Sequence, residues 1–258
     1  MNEFKAIISK HKQILSALIL LFAVFLIFWT VNSPVLVGVS ASGRQLPIYS
    51  VQRQDKVVAI SFDAAWGNED TQNLIDILNR YIVYAVYATF FVVGDWVDNY
   101  PESVKALSDA GNEVMNHSSS HARFSQLTGE QIIKDIETCN DKIREITGVT
   151  PTLFRCPYGE YDDHVIQSVR SMGMEPIQWD VDSLDWKGIS ASEITQRILQ
   201  KVRPGSIILF HNAAEHTPEV LPDILEALIS NGYAVVPVSQ ILLPGEYFID
   251  NTGMQCRP

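Results

Sequence analysis

The sequence predicts one α/β domain made of repeated βα units, arranged either as a βα barrel or as a doubly wound sheet. From Lys56 onward, short runs of β-branched and aromatic residues alternate with longer segments of helical period, which is typical of a largely parallel sheet. The 258 residues, 47% of them hydrophobic, are enough to bury one substantial core. In either arrangement, chemistry gathers at the carboxyl ends of the strands.

The predicted elements alternate regularly along the chain. Strands are expected at VVAIS, ATFFVV, NEVMN, TLFR, EPIQW, SIILF and YAVVPV. Helices are expected over residues 71–81, 101–110, 129–147, 162–172, 190–202 and 218–231. Several of these helices begin with a Thr, Asp or Ser cap, and glycines stand where helix C-caps belong, at Gly111, Gly148, Gly173 and Gly232.

An apolar segment precedes the domain. Residues Ile14 to Val31 include no charged side chain, and Lys5, Lys10 and Lys12 come before them, which is the positive-inside arrangement of a membrane-spanning helix. A buried core helix is the alternative, but a segment of this length that is apolar on every face is typical of a bilayer. We therefore predict a membrane anchor with the rest of the protein outside the cytoplasm.

The predicted anchor divides the chain into three parts. Residues 1–33 would form a cytoplasmic tip and the anchor, residues 34–54 a linker, and residues 55–258 the domain. Cleavage near Ala41 would instead give a secreted protein, but the apolar segment is longer than the h-region of a typical signal peptide, so an uncleaved anchor is preferred.

Composition excludes some classes of function. The formal net charge of -11 is spread as isolated acidic residues, which disfavours a nucleic-acid partner. The three cysteines, Cys139, Cys156 and Cys256, include no CxxC pair, so neither a disulfide framework nor a cysteine zinc site is indicated.

Five polar clusters come directly after predicted strands, and their coincidence suggests one site. Asp63 follows the first strand and would point into the mouth of a barrel, although a turn or a helix cap is the ordinary role of such a residue. His117 and His121 follow NEVMN, and two imidazoles four residues apart could converge on one metal ion. Solvated or hydrogen-bonded histidines are the alternative.

The remaining clusters carry a cation, an acidic loop and a third histidine. Arg155 could hold a catalytic carboxylate in a fixed geometry, with a surface ion pair as the alternative. The segment WDVDSLDW, which contains Asp185 and Trp186, combines carboxylates and indoles that suit a sugar, or forms an acidic loop between core tryptophans. His211 ends the strand SIILF as either a proton donor or a core histidine.

In this order, the five clusters resemble the motifs of the NodB-type polysaccharide deacetylases, carbohydrate esterase family 4, and the resemblance spans Val57 to Val238. The connecting sequences NLIDIL, ATFFVVG and GNEV are similar to those of the family as well. The first motif, SFDAAWGNEDT, is most similar to the PdaB-type sporulation subgroup of spore-forming bacteria.

The resemblance implies a distorted (β/α) barrel with fewer than eight strands and removal of N-acetyl groups from N-acetylglucosamine or N-acetylmuramic acid in peptidoglycan or spore cortex. By motif position, Asp63 would be the general base, Arg155 the residue that orients it, His211 the general acid and Asp185 its partner. His117 and His121 would bind a divalent metal, with zinc expected and cobalt, nickel or manganese as alternatives. The residues that would line the substrate pocket are Pro157, Tyr158, Trp186 and Leu209. We expect a monomer whose partner is the polysaccharide, at the cell surface or in the forespore envelope.

One position departs from the family pattern. Family members usually have a second consecutive Asp as the third metal ligand, and here that residue is Ala64. The third ligand therefore stays open: Asn68, Glu69 or Asp70 could fold back, Asp63 could bind the ion directly, or water could take the place. Two hypotheses follow, an active deacetylase with an altered metal site and a glycan-binding or structural envelope protein without catalysis. Retention of a base, an acid and an orienting Arg favours the first.

Overall fold

The computed structural model describes residues 44–258. The predicted membrane segment and the alternative cleavage site near Ala41 lie outside these residues. Within residues 44–258, none of the helices is both long enough and apolar enough to cross a bilayer.

The described residues form a large parallel sheet and a small mixed one. The strands are β1 (Ser50–Val51), β2 (Val57–Ala64), β3 (Thr89–Val92), β4 (Glu113–Asn116), β5 (Leu153–Phe154), β6 (Glu175–Pro176), β7 (Val181–Asp182), β8 (Ile207–His211), β9 (Ala234–Val236), β10 (Phe248–Ile249) and β11 (Met254–Cys256). The large sheet has the order β6-β5-β4-β3-β2-β8-β7, with β9 paired to β2, and the small sheet has the order β1-β11-β10. Every pairing in the large sheet is parallel, which confirms the predicted α/β class.

The helices connect these strands and cover the outside of the sheet. They are α1 (Thr71–Asn79), α2 (Gly94–Asn99), α3 (Pro101–Asp109), α4 (Gly129–Thr147), α5 (Asp163–Ser171), α6 (Ala191–Lys201), α7 (Thr217–Ser230) and α8 (Val238–Ile241). Local sequence sets several boundaries: α4 begins with a capping box between Thr128 and Gln131, and α6 with one between Ser190 and Glu193. All six predicted helices are found, each within two residues of its predicted bounds.

The alternation of side chains along β2 separates the outer core from the interior of the sheet. Phe62 and Ala64 belong to the cluster that packs against the helices, where Phe62 stacks on Phe90 with ring centroids 4.6 Å apart. Because successive side chains of a strand point to opposite faces, Ser61 and Asp63 face the concave side instead. The alternation that places Phe62 and Ala64 in the core therefore places Asp63 on the concave side of the sheet, near the carboxyl end of β2.

The curvature is that of a half-barrel, and the N-terminal segment contacts both of its sides. Ile48 donates its N–H to the carbonyl of Pro176 and accepts from the N–H of Gln178, at 2.9 and 2.7 Å. Val51 donates to Gly205, just before β8, at 2.9 Å. Both Ile48 and Val51 are buried. The packed domain therefore begins earlier than residue 55, inside the segment that we expected to be a linker.

The number of strands differs from the expectation, although β9 itself lies in the predicted strand YAVVPV, and some other elements were not predicted. With β9 included the large sheet has eight strands, where we expected fewer than eight, because β9 pairs with Val57–Ala59 and leaves the end of β2 to β3. The strand β7 lies within the acidic segment WDVDSLDW and has too short an apolar run to stand out. The helix α2 has only six residues, so its helical period is not visible in the sequence.

Candidate active site

A cleft of about 430 Å³ opens at the carboxyl ends of the strands. Seven of the predicted site residues line it: Asp63, His117, His121, Tyr158, Trp186, Leu209 and His211. Arg155 and Asp185 lie buried behind its wall and hydrogen-bond lining residues. Pro157, predicted to line the substrate pocket, is buried and does not line the cleft; it begins the 3-10 turn that carries Tyr158. The fold therefore brings nine of the ten predicted residues to one place.

Asp63 is held by a fully buried guanidinium. The Arg155 side chain is 0% exposed, and its Nη1 donates to Asp63 Oδ1 at 2.8 Å and to Ser61 Oγ at 2.9 Å. Its Nη2 donates to the carbonyl of Gln178 at 3.1 Å, and the guanidinium lies 4.1 Å from the centre of the Phe91 ring. These contacts fix the cation, and through it the carboxylate, in one orientation.

The charge around Asp63 keeps it ionised. Burial alone would raise the pKa of this carboxyl, but the Arg155 guanidinium lowers it through its charge and its hydrogen bond, and the net shift of the pKa is downward. An ionised carboxylate facing a cleft can accept a proton.

Of the two predicted metal histidines, His117 is buried and His121 is half-buried, and the surroundings of both favour the neutral ring. His117 Nδ1 bonds the carbonyl of Arg155 at 2.9 Å, which places the proton on Nδ1 and leaves the Nε2 lone pair 3.5 Å from Asp63 Oδ2. Burial lowers the pKa of His117 below its ordinary value, and burial together with His117 lowers the pKa of His121 to about 4. The two ring centroids lie 5.0 Å apart.

The loop between these histidines is held by polar residues that we did not predict. Asn116, at the end of β4, accepts from Ser118 N at 2.7 Å, and Ser118 Oγ accepts from His121 N at 2.8 Å. Asp135 of α4 accepts from Ser119 N at 2.6 Å and from Ser120 Oγ at 3.0 Å. The HxxxH segment is therefore a constrained loop and not a helical turn.

His211 and Asp185 form the second charged pair. His211 Nδ1 bonds Asp185 Oδ1 at 2.8 Å, while Asp185 Oδ2 accepts from the N–H of His211 at 2.8 Å and from Thr217 Oγ1 at 2.6 Å. Burial would lower the pKa of His211, but the bond to Asp185 and the charge of Asp63 raise it, and the net shift is upward. The pair therefore favours the protonated imidazole, which is the form that can donate a proton.

The sheet register places the two pairs side by side. Asp63 of β2 is the direct register partner of His211 of β8 in the parallel ladder. Neighbouring strands lie about 4.8 Å apart. A carboxylate that can accept a proton and an imidazole that can donate one therefore face the cleft from adjacent strands, each with its own buried partner.

The donor set does not complete a metal site with three protein ligands. Two neutral imidazoles suit zinc, but a catalytic zinc normally keeps three protein ligands, and no group of three or more His, Cys, Asp or Glu within residues 44–258 is arranged to hold an ion. Ala64, at the usual third position, packs against the helices.

Three of the residues that the sequence left open as the third ligand, Asn68, Glu69 and Asp70, do not line the cleft. Asn68 donates to Ser103 Oγ at 3.0 Å, Asp70 accepts from Ala213 N at 2.9 Å, and the Glu69 carboxylate lies against Gly67. Asp63 alone stands beside His117.

Comparison with known proteins settles the family. A family model described as polysaccharide deacetylase matches residues 50–177. The structure of the peptidoglycan deacetylase PdaC from Bacillus subtilis is 36% identical in sequence, with a TM-score of 0.66 over 74% of this chain and 92% of that one. The chain belongs to the polysaccharide deacetylase family.

Another solved member of this deacetylase family is of a different kind. A CE4 family pseudoenzyme from Bacillus anthracis is 32% identical, with a TM-score of 0.72 over 76% of this chain and 68% of that one. A mutant of that pseudoenzyme, described as having restored enzymatic activity, is 33% identical, with the same TM-score over 76% of this chain and 70% of that one. Active and inactive members of the family thus share this fold.

This chain spans only part of the length of the curated relatives that it matches. The uncharacterized protein YlxY of Bacillus subtilis is 32% identical over 196 residues, and PdaC, a peptidoglycan-N-acetylmuramic acid deacetylase of the same organism, is 34% identical over 192 residues. The match covers 76% and 74% of this chain but only 60% and 40% of those two relatives. Deacetylases of this family are generally metal-dependent hydrolases of amide bonds.

Backbone strain clusters around this deacetylase cleft. Of the six non-glycine residues with positive φ among those described, five adjoin the site: Ser118, His121, Tyr158, Leu184 and Ala213, with φ between 54° and 70°. Such conformations cost about 1–3 kcal/mol each and persist where the surroundings enforce them. Leu184, for example, turns the chain so that Asp185 can reach back to His211.

Sequence reasoning missed the residues that support the site. Ser61, Asn116 and Thr217 are polar, buried and bonded to predicted site residues or their loop. Ser61 interrupts an apolar strand and Asn116 ends one directly before His117, and these positions could have pointed to them. Sequence reasoning also did not single out Trp66, which lines the cleft and lies in the first motif three residues after Asp63.

Proposed function

We propose that this protein removes N-acetyl groups from N-acetylglucosamine or N-acetylmuramic acid residues of a cell-envelope polysaccharide, peptidoglycan or spore cortex. The observation that carries the proposal is the direct pairing of Asp63 and His211 on adjacent strands, each oriented by a buried partner. A protein that only binds glycan has no need of a base and an acid at one register position.

Each residue has a definite task in this proposal. Asp63 takes the proton of the attacking water, and Arg155 keeps its carboxylate ionised and aimed. His211 donates a proton to the departing amine through Nε2, because its Nδ1 is committed to Asp185. Asp185 also stabilises the imidazolium before that transfer.

The cleft suits a sugar. Tyr158 and Trp186 are each more than half exposed at its mouth, and Leu209 lies in its wall. Aromatic faces beside carboxylates match the alternating apolar and hydroxyl surfaces of a pyranose ring. The relatives support both sugars, because PdaC is named for N-acetylmuramic acid and a Bacillus cereus relative, 30% identical, for N-acetylglucosamine.

A second candidate function rests on Ala64. A glycan-binding or structural envelope protein with impaired catalysis is supported by the missing third ligand and by the resemblance to the Bacillus anthracis pseudoenzyme. It differs from the first proposal in one measurable property, which is turnover.

Acetate release tests the proposal. The purified full chain, supplied with zinc, is expected to release acetate from N-acetylglucosamine oligomers or muropeptides, and Asp63→Asn or His211→Ala should abolish this release. Lys105→Ala, in an exposed pair with Asp109 on α3, serves as a control that should leave it unchanged. Absence of acetate from every substrate, with zinc, cobalt, nickel and manganese in turn, would leave the glycan-binding function.

We also propose that the protein acts in sporulation as a monomer, anchored through residues 14–31 with its deacetylase domain outside the cytoplasm. The first motif supports the role in sporulation, and the apolar N-terminal segment supports the location. A fluorescent fusion that follows the forespore envelope, and light scattering of the detergent-purified chain, test the two parts separately. Diffuse cytoplasmic fluorescence or a dimer mass would contradict them.

A further inference from the structure

Trp66 is a large apolar side chain that the fold leaves uncovered at the cleft. Its side chain is 55% exposed. The centre of its ring lies 6.2 Å from that of His211 and 6.4 Å from that of His121. The indole therefore stands beside both the proposed acid and one of the proposed metal ligands.

The backbone beneath this exposed indole is tightly anchored. The carbonyl of Trp66 accepts from Trp96 Nε1 at 2.8 Å and from Asn212 Nδ2 at 2.6 Å. The same two donors reach the carbonyl of Gly67 at 2.7 and 2.6 Å. Asn212 Oδ1 also accepts from the N–H of Ala65 at 3.2 Å.

Asn212 uses its whole carboxamide for this loop. The side chain is 2% exposed, and its own N–H donates to the carbonyl of Asp63 at 3.1 Å. The residue that follows the acid in sequence thus fixes the loop that follows the base. A loop fixed in this way loses no further conformational freedom when a ligand binds to the side chain that it presents.

An exposed indole on a rigid loop contributes little to folding, since half of its apolar surface stays in water. It contributes to binding if a ligand covers it, and the apolar face of a pyranose ring is the surface that an indole beside carboxylates would stack against. Trp96, by contrast, is 2% exposed and serves the core.

We propose that Trp66 is a substrate-specificity residue, the platform on which the sugar bearing the reacting acetamido group stacks, and that Asn212 is the positioning residue that holds it there. The identity of the ligand rests on the proposed deacetylase function. The position of the indole beside His121 and His211 decides which sugar of a chain it contacts.

Binding measured without turnover tests the proposal. Calorimetric titration of the full chain with fully N-acetylated chitotetraose is expected to give a dissociation constant roughly tenfold weaker for Trp66→Ala than for the unaltered protein. Trp66→Phe keeps an aromatic face and should recover most of the affinity. Tyr84→Ala removes an aromatic side chain that is 59% exposed away from the cleft, and should change nothing.

A double-mutant cycle separates positioning from general structure. Asn212→Ala should weaken binding in the unaltered protein but add little to Trp66→Ala, because the amide acts through the indole. Equal losses in both backgrounds would overturn the role of Asn212.

Unchanged affinity in a folded Trp66→Ala variant would overturn the platform, and so would failure of the unaltered chain to bind chitotetraose. Acetate release from muropeptides would still support the deacetylase function in either case.

Discussion

At the scale of single residues, the site consists of two buried charged pairs and one missing ligand. Asp63 with Arg155 and His211 with Asp185 have the chemistry of a base and an acid, each held by its partner. Ala64 has no donor atom, and its side chain packs on the helix side of the sheet. The described residues therefore supply an oriented acid and an oriented base, but not a complete set of metal ligands.

Replacing Ala64 with Asp should restore a metal ligand. We expect Ala64→Asp to bind zinc about tenfold or more tightly than the unaltered protein. The family pattern has a carboxylate ligand at this position, and at the last residue of β2 the longer side chain can turn from the helix side toward the cleft. Ala64→Asn, of similar volume but uncharged, is the matched control and should gain much less. Zinc titration with a competing chelator measures both. Equal zinc affinity in all three proteins would show that position 64 cannot reach the ion.

The His211–Asp185 pair should be visible in a proton titration. Because the carboxylate stabilises the imidazolium, Asp185→Asn should lower the pKa of His211. Nitrogen-detected NMR of the metal-free protein follows this titration directly. An unshifted pKa in the variant would contradict the pairing.

The sign of the accompanying stability change follows from linkage. A folded-state pKa above the unfolded value of about 6.5 adds stability that is complete below that pH. The added stability is lost as the pH rises through the folded-state pKa of His211. Unfolding by urea at several pH values should show this loss in the unaltered protein and a weaker one in Asp185→Asn.

At the scale of elements, the loop after β4 depends on a neighbouring helix. Asp135 of α4 bonds Ser119 and Ser120 between the two proposed metal histidines. These hydrogen bonds hold the loop against α4 and so help to fix the position of His121.

Removing that support should weaken metal binding and leave the fold intact. Asp135→Ala is expected to reduce zinc affinity several-fold and to cost about 1–2 kcal/mol in free energy of unfolding, since two hydrogen bonds are lost. Asp141→Ala, on the same helix in an exposed pair with Arg144, is the control and should affect neither property. If both variants bind zinc alike, the loop does not need α4.

Regular patterns in the sequence were enough to predict most elements, and irregular ones were not. The capped helices α4 and α6 and the apolar strand β8 have strong local signals, so their bounds could be predicted closely. The strand β7 and the small sheet of β1, β10 and β11 are pairings of two or three residues each. Such pairings depend on distant partners and leave no periodic trace.

The candidate site could be predicted in its charged residues but not in its supports. Asp63, His117 and His211 stand at strand ends, where a sequence pattern shows them. The roles of Asn212, Asp135 and Thr217 come from contacts across 16 to 147 positions of the chain, which no local pattern records.

At the scale of the whole molecule, the segment before β2 is part of the packed domain. Ile48 is fully buried and packs in one core cluster with Ala59, Phe91 and Ile207. Its N–H donates to the carbonyl of Pro176 in β6. The segment before β2 therefore packs against the large sheet and is hydrogen-bonded to it at β6.

Shortening this side chain should destabilise the protein. Ile48→Ala is expected to cost about 2–4 kcal/mol in free energy of unfolding, as for other large-to-small changes in a core. Gln54→Ala, at an exposed position nearby, should cost almost nothing. Urea unfolding of the full chain measures both. Equal midpoints would mean that residue 48 lies in a true linker.

We propose that this chain keeps an acid and a base, His211 and Asp63, beside an incomplete metal site. The most direct measurement is acetate release from N-acetylglucosamine oligomers, with zinc present, by the unaltered protein, Ala64→Asp, and Ala64→Asp combined with Asp63→Asn. We predict faster release by Ala64→Asp than by the unaltered protein, and none by the double variant. An Ala64→Asp protein that binds zinc tightly and still releases no acetate would contradict the claim.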